Sequence, residues 1–271
     1  MSKTILVPTD YSDVANNALK YAAELAKHIS ARLILLHAYH VPVPTAEAQI
    51  MLITPQELEK ENRDRIQKLE KEIIEITSAQ VKVESIVKEG FAVDTVLDVI
   101  NEKKIDLVVM GITGGSKLGE VLIGSNTTSL IKKTQTPVLV IPKDVRFKEV
   151  EKIALAYNYN DIANKNTMNK FKEFVKLFKA KVLVLDVEKP VAVPMHENTS
   201  GAESLENSLK DVEHVMFYTS AENITDGINT FADEHNCDWL AMIPRKHNSF
   251  SEFFHKSNTK RMAFHTHIPL L

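Results

Sequence analysis

The sequence contains one cysteine, Cys237, in 271 residues. A lone thiol can form neither an intrachain disulfide nor a multi-cysteine metal site, and it suits a reducing, cytoplasmic setting. No run approaches the ~18 apolar residues that a membrane helix requires, so no membrane association is expected. The opening stretch, 1–8, lacks the long apolar core and small-residue cleavage site of a secretion signal and reads as a strand. Neither sign of charge dominates: 33 Lys and Arg against 36 Asp and Glu leave a formal −3. Nucleic-acid binders usually carry a basic excess, so none is expected here. What is present is ordinary globular material, 44% apolar and 25% charged. That is enough for one large domain or two of common size, each with a core.

Two kinds of segment alternate along the chain. Ile5-Leu6-Val7-Pro8 is a short apolar run. Ala15, Ala18, Leu19, Ala22, Leu25, Ala26 and Ile29 then recur at helical spacing. Residues 32–38 are continuously apolar, as in a parallel strand covered on both faces. A loop with Pro42 and Pro44 leads to Thr54-Pro55-x-Glu57, a capping box that opens a charged helix to about Thr77. Strand, helix and strand follow at 80–88, 92–103 and 105–110. A glycine-rich loop fills 111–124, with a helix at 125–134 and a strand at 136–141. This β-α-β-α-β-α-β-α-β order predicts an α/β fold, a doubly wound parallel sheet of five strands with helices on both faces.

The pattern then restarts. Residues 143–150 are polar and read as a linker. Ile153-Ala154-Leu155-Ala156-Tyr157-Asn158 repeats the pattern of Ile5 to Asp10, and 180–186 that of 31–37. Ser257-Asn258-Thr259, Pro269 and Asp238 each stand 132 residues after Ser125-Asn126-Thr127, Pro137 and Asp106. Agreement of several offsets predicts an internal duplication, with one five-stranded α/β unit in 1–142 and another in 151–271.

Five of the eight glycines lie between Gly111 and Gly124. Glycine lets backbone approach a ligand closely. Here the cluster joins a buried strand to a helix beginning at Ser125, where unpaired N–H groups and the positive helix end favour an anion. Ser125 and Thr127 hydroxyls add donors, and Lys117 a charge. A dinucleotide fingerprint does not fit, and a Walker A loop fails because no lysine separates Gly124 from Ser125. A tight loop without ligand is the competing reading of the glycines. A helix cap or turn residue is the competing reading of Asp10.

Gly111-x2-Gly114-x9-Gly124-Ser125 does match the G-2x-G-9x-G-[ST] loop of the universal stress protein family. The first strand ending in Pro8-Thr9-Asp10-Tyr11-Ser12, the second ending in Leu35-Leu36-His37-Ala38, and the last strand, Thr136 to Ile141, also resemble that family. The likeness covers 1–142 well and 151–271 weakly, so the chain resembles a tandem member. The resemblance implies ATP, with or without Mg2+, in the first half. Pro8, Thr9 and Asp10 would flank base and ribose, and Ala38 would offer backbone to the adenine edge. Met110, Gly111, Gly114 and Gly115 would line ribose and α-phosphate, and Gly124, Ser125 and Asn126 would grip the outer phosphates. It also implies an intramolecular pseudo-dimer of the two halves, with room for a homodimer, although the second half offers only a short last strand for pairing.

The second half has lost these features. Ile243, Lys246 and Lys256 stand at the positions of Gly111, Gly114 and Gly124, and Asn158 at that of Asp10. No ATP is expected there by the same mode. Arg245, Lys246, His247 and Lys256 read as a solvated basic loop or a weak anion site. Seven of the ten histidines fall in this half, and His265-x-His267 could contribute to zinc binding, but no partner ligands are evident. Cys237 beside Trp239 reads as a packed thiol. The expected role is a nucleotide-sensing stress regulator with no catalytic residue. The alternatives are a slow ATP hydrolase, in which Asp10 is the obvious carboxylate, and a nucleotide-free scaffold for protein partners.

Overall fold

The structure, a computed structural model, describes residues 2–41, 54–114, 121–122, 124–157, 165–188, 199–243 and 266–271. The chain divides into two compact units: Met1–Ile112 with Gly124–Phe147, and Thr113–Ile123 with Lys148–Leu271.

The first unit alternates strands and helices as the apolar periodicity requires: β1 (Thr4–Pro8), α1 (Asp13–His28), β2 (Arg32–Tyr39), α2 (Pro55–Ile76), β3 (Val83–Glu89), α3 (Ala92–Lys103) and β4 (Leu107–Gly111). A two-residue antiparallel ladder, β5 (Thr113–Gly114) with β6 (Val121–Leu122), belongs to the second unit, and the first resumes with α4 (Ser125–Lys133) and β7 (Val138–Ile141). The parallel sheet runs β3-β2-β1-β4-β7. Its centre is apolar on both faces: Ile5, Leu6, Val7 and Leu33 to Leu36 are at most 1% exposed. Helix α1 starts at Ser12, whose hydroxyl accepts from the Ala15 N–H, and buries an alanine-rich stripe (Ala18, Ala22, Ala26). Helix α2 carries the expected capping box, with Thr54 and Glu57 bonding reciprocally.

The stretch 143–150, polar in sequence, holds two packed apolar residues. Phe147 lies edge-on to Tyr21 at 5.4 Å, and Val150 is buried. Asn17 Nδ2 donates to the carbonyls of Pro142 and Val145, fastening this segment to α1.

The second unit repeats the topology. Strands β8 (Lys152–Ala156), β9 (Lys181–Glu188), β10 (His214–Ser220) and β11 (Trp239–Met242) form a parallel sheet of order β10-β9-β8-β11, the counterpart of β3-β2-β1-β4. Helices α5 (Lys165–Phe178), α6 (Thr199–Leu209) and α7 (Ile224–Glu234) connect them. The fifth strand expected there is reduced to a parallel bridge, Leu240 with Leu270. It is held by backbone bonds from Leu240 N–H to Pro269, Leu271 N–H to Leu240, and Met242 N–H to Leu271.

The aspartates at the 132-residue offset have one structural job in both halves. Asp106 Oδ2 accepts from the Thr4 N–H at 2.8 Å, and its own N–H donates to the Thr4 carbonyl. Asp238 Oδ2 accepts from the N–H groups of Glu151 and Lys152 at 2.8 and 2.9 Å, and its N–H donates to the Lys152 carbonyl. Each carboxylate fixes the start of the central strand against its neighbour. Asp238→Ala would strand two backbone donors, with an expected loss of about 3 kcal/mol in urea-denaturation stability. A loss below about 1 kcal/mol would show that water replaces the carboxylate there.

Candidate functional site

The strand order reverses between β1 and β4, which lie side by side while their outgoing chains leave in opposite directions. Such a switch point opens a crevice outside the carboxyl ends of the strands. Thr9 and Asp10 follow β1, Met110 and Gly111 end β4, and Ala38 lies near the end of β2. The topology therefore gathers these residues on one rim.

The β1–β2 end is built by an interrupted ladder. In β2 the odd residues bond toward β3, as the Leu33 N–H does to the Lys82 carbonyl, and the even residues toward β1. The Thr9 N–H donates to the Leu36 carbonyl at 2.8 Å. The next rung would join the Ala38 N–H to the Thr9 carbonyl. That carbonyl takes a hydrogen bond from His37 Nδ1 at 2.8 Å, which fixes the proton on Nδ1. Among the described residues, the β1–β2 backbone bonds stop at the Thr9 rung. The Ala38 amide and carbonyl thus face the side that β1 leaves.

Beyond Thr9 the chain turns sharply into α1. Tyr11 has φ +65°, a left-handed conformation unusual for an aromatic residue. Thr9 Oγ1 accepts from the Tyr11 N–H, and Asp10 Oδ1 accepts from the Ser12 N–H, both at 3.0 Å. Asp10 is thus a turn residue, Ser12 is the helix cap, and the Asp10 side chain remains exposed on the rim. The Tyr11 ring lies 4.4 Å from that of His37, the Arg65 guanidinium sits 4.2 Å above it, and its hydroxyl donates to the Asn62 carbonyl. Burial pushes the Tyr11 phenol up to about 12, with Arg65 pulling it down and Glu61 pushing it further up. The sequence reading placed Tyr11 and His37 in strand-end motifs without a role of their own, and it did not single out Asn62 or Arg65. The available signal was an aromatic residue between an acidic turn and a helix cap.

The glycines separate into different physical cases. A Cβ on Gly111 would stand 2.5 Å from the Val14 carbonyl oxygen and 2.6 Å from its Cγ1. Gly111 is small because α1 crosses β4 there. A Cβ on Gly124 would meet none of the described residues within 4 Å. Gly124 caps α4 with φ −59° and ψ 154°, supplies no side-chain cap, and is followed by exposed Ser125 and Asn126. The first-turn N–H groups of α4 therefore lack both an intrahelical acceptor and a capping oxygen. Thr127, expected to add a hydroxyl donor, is buried. Gly114 pairs with Val121 in the short ladder. Gly115, Lys117 and Glu120 lie outside the described residues.

These features suit an anion such as a phosphate: amides at a positive helix end with no side-chain cap among the described residues. Among the described residues of the rim, Asp10 offers Mg2+ an exposed carboxylate.

In the second unit, Asn158, Arg245, Lys246, His247, Lys256 and His265 lie outside the described residues. His267 pairs with Asp233 at 2.6 Å, and among the described residues no three His, Cys, Asp or Glu come together as a metal site. Cys237 is buried and its thiol is pushed up to about 11 by burial, as suits a packing role. No described helix is long and apolar enough to cross a membrane.

Comparison with known proteins agrees with this architecture. The model of the universal stress protein family matches residues 1–142. Universal stress protein MJ0531 of Methanocaldococcus jannaschii is 34% identical over 145 residues, which cover 52% of this chain and 82% of that protein. Universal stress protein Slr1230 of Synechocystis aligns at 23% identity over 99% of both chains. A crystal structure of a universal stress protein from Archaeoglobus fulgidus shares the fold across 100% of this chain and 97% of its own, with a TM-score of 0.71 at 17% identity. The matched first half, the repeated sheet order and the full-length likeness lead to one conclusion: the chain belongs to the universal stress protein family.

Proposed function

We propose that the first unit binds an adenine nucleotide, ATP with or without Mg2+, and that the protein acts as a nucleotide-sensing regulator in a stress response. One observation carries the reading. The N-terminus of α4 is capped by a glycine that no other described residue crowds, so among the described residues no side chain stands in the way of the amides of Ser125 and Asn126. An anion placed there gains from those donors and from the helix end. In this reading Gly124, Ser125 and Asn126 hold the outer phosphates. Pro8, Thr9 and Asp10 flank base and ribose, and the Ala38 backbone meets the adenine edge. Met110 and Gly111 bound the crevice on the β4 side. Gly114 and Gly115 enter by resemblance alone.

The second unit supports the first without binding nucleotide in this mode, since its counterpart positions carry Ile243, Lys246 and Lys256. The test is to denature purified, untreated protein and identify released small molecules by mass spectrometry. An adenine nucleotide near one per chain is expected. Absence of any nucleotide, together with no calorimetric heat on adding ATP, would favour the scaffold reading.

A further inference from the structure

The Tyr11–His37 pair is more elaborate than a turn requires. A left-handed turn before a helix needs only Thr9 Oγ1 and Asp10 Oδ1, which already accept the Tyr11 and Ser12 N–H groups. Here the Tyr11 side chain adds a hydroxyl bond to the Asn62 carbonyl at 3.0 Å and a ring contact with His37, and it lies beneath Arg65. Asn62 is buried, and its Nδ2 donates to the Leu58 carbonyl, so the helix residue to which Tyr11 is tied is itself held. His37 in turn holds the Thr9 carbonyl.

We propose that Tyr11 and His37, braced from α2 by Asn62 and Arg65, are positioning residues that shape the base end of the nucleotide site. This rests on the nucleotide reading above and assigns its base selectivity to a side-chain stack that does not touch the phosphates. The device has two consequences on the rim. His37 takes the Thr9 carbonyl, so β1 leaves the Ala38 amide and carbonyl to a ligand edge. Tyr11 fixes the backbone on the far side of Asp10, so the carboxylate is presented in one place.

The test compares ATP with inorganic tripolyphosphate, which has no base. Tyr11→Gly keeps the positive φ accessible and removes the ring contacts with His37 and Arg65 and the hydroxyl bond to Asn62. It should weaken ATP by about 5–30-fold, the factor equivalent to one or two lost contacts, while leaving tripolyphosphate competition unchanged. Tyr11→Phe keeps the ring contacts and should recover most of the ATP affinity. Arg65→Gln, at an exposed position that folding does not depend on, should shift ATP in the same direction by a smaller factor. Equal weakening of both ligands would mean a merely structural role and would overturn the proposal, as would wild-type ATP affinity in folded Tyr11→Gly and Arg65→Gln. Wild-type protein that binds neither ligand would remove the nucleotide reading itself, a result recognisable because no variant would differ from it.

Discussion

Gly124→Val is expected to fold normally and to lose ATP affinity by about 100-fold, the equivalent of one or two charge-assisted hydrogen bonds. The backbone at Gly124, φ −59° and ψ 154°, suits any L residue, and a Cβ there meets none of the described residues within 4 Å. Among the described residues nothing opposes a side chain there, so an affinity loss in a Gly124→Val protein of unchanged stability comes from the ligand. The cost in stability is confined to a poorer helix cap, about 1 kcal/mol or less. Gly124→Asp sharpens the contrast. Aspartate is a good cap and its charge suits a helix N-terminus, so stability should rise by a few tenths of a kcal/mol. The same carboxylate occupies the place of a phosphate and repels it, so ATP binding should vanish. Stability and affinity then move in opposite directions, which calorimetry and urea titration can read on one preparation. A Gly124→Val protein that is folded and binds ATP as wild type would mean that the phosphates lie elsewhere.

Gly111→Ala is expected to do the reverse, losing about 2–3 kcal/mol of stability, as overpacking against backbone does. The added methyl would sit 2.5 Å from the Val14 carbonyl oxygen. That oxygen belongs to α1, which cannot yield without moving its packed alanine stripe off the sheet. Urea titration of Gly111→Ala beside Gly124→Ala measures the difference directly. Equal stabilities would show that α1 moves aside easily and that the close crossing has no structural consequence.

These two glycines show what a sequence can and cannot convey. Both belong to one spacing motif, and the motif identifies the family and the crevice. It does not separate a glycine hemmed in by a helix crossing from one that no described residue crowds, because the distinction lies in what stands opposite the missing Cβ. The aspartates follow the same logic. Asp106 and Asp238 appear as a repeat at fixed offset, and the structure gives both the same bonds at the start of the central strand. Asp10 has no counterpart acid, since Asn158 stands at its place. The duplication has thus kept a carboxylate that serves the sheet and changed one at the rim.

The alternation of strands and helices was readable because buried strands and amphipathic helices impose different periods on apolar residues. The capping box at Thr54 was readable because it is local. Phe147 and Val150 were not, since single apolar residues in a polar stretch carry no period. The short last strand of the second unit was readable too, and the described residues show it as the bridge between Leu240 and Leu270. Tyr11, His37 and Arg65 escaped as a group. They meet only through the turn after β1 and the packing of α2, and nothing in their sequence spacing brings them together.

The most direct measurement is backbone amide NMR of the full chain titrated with ATP. The amides of Ser125 and Asn126 are expected to shift first and furthest, to respond also to inorganic tripolyphosphate, and to be joined by Ala38 only when the adenine base is present. Shifts confined to the second unit, or none at these three amides under saturating ATP, would contradict a nucleotide held by the first turn of α4.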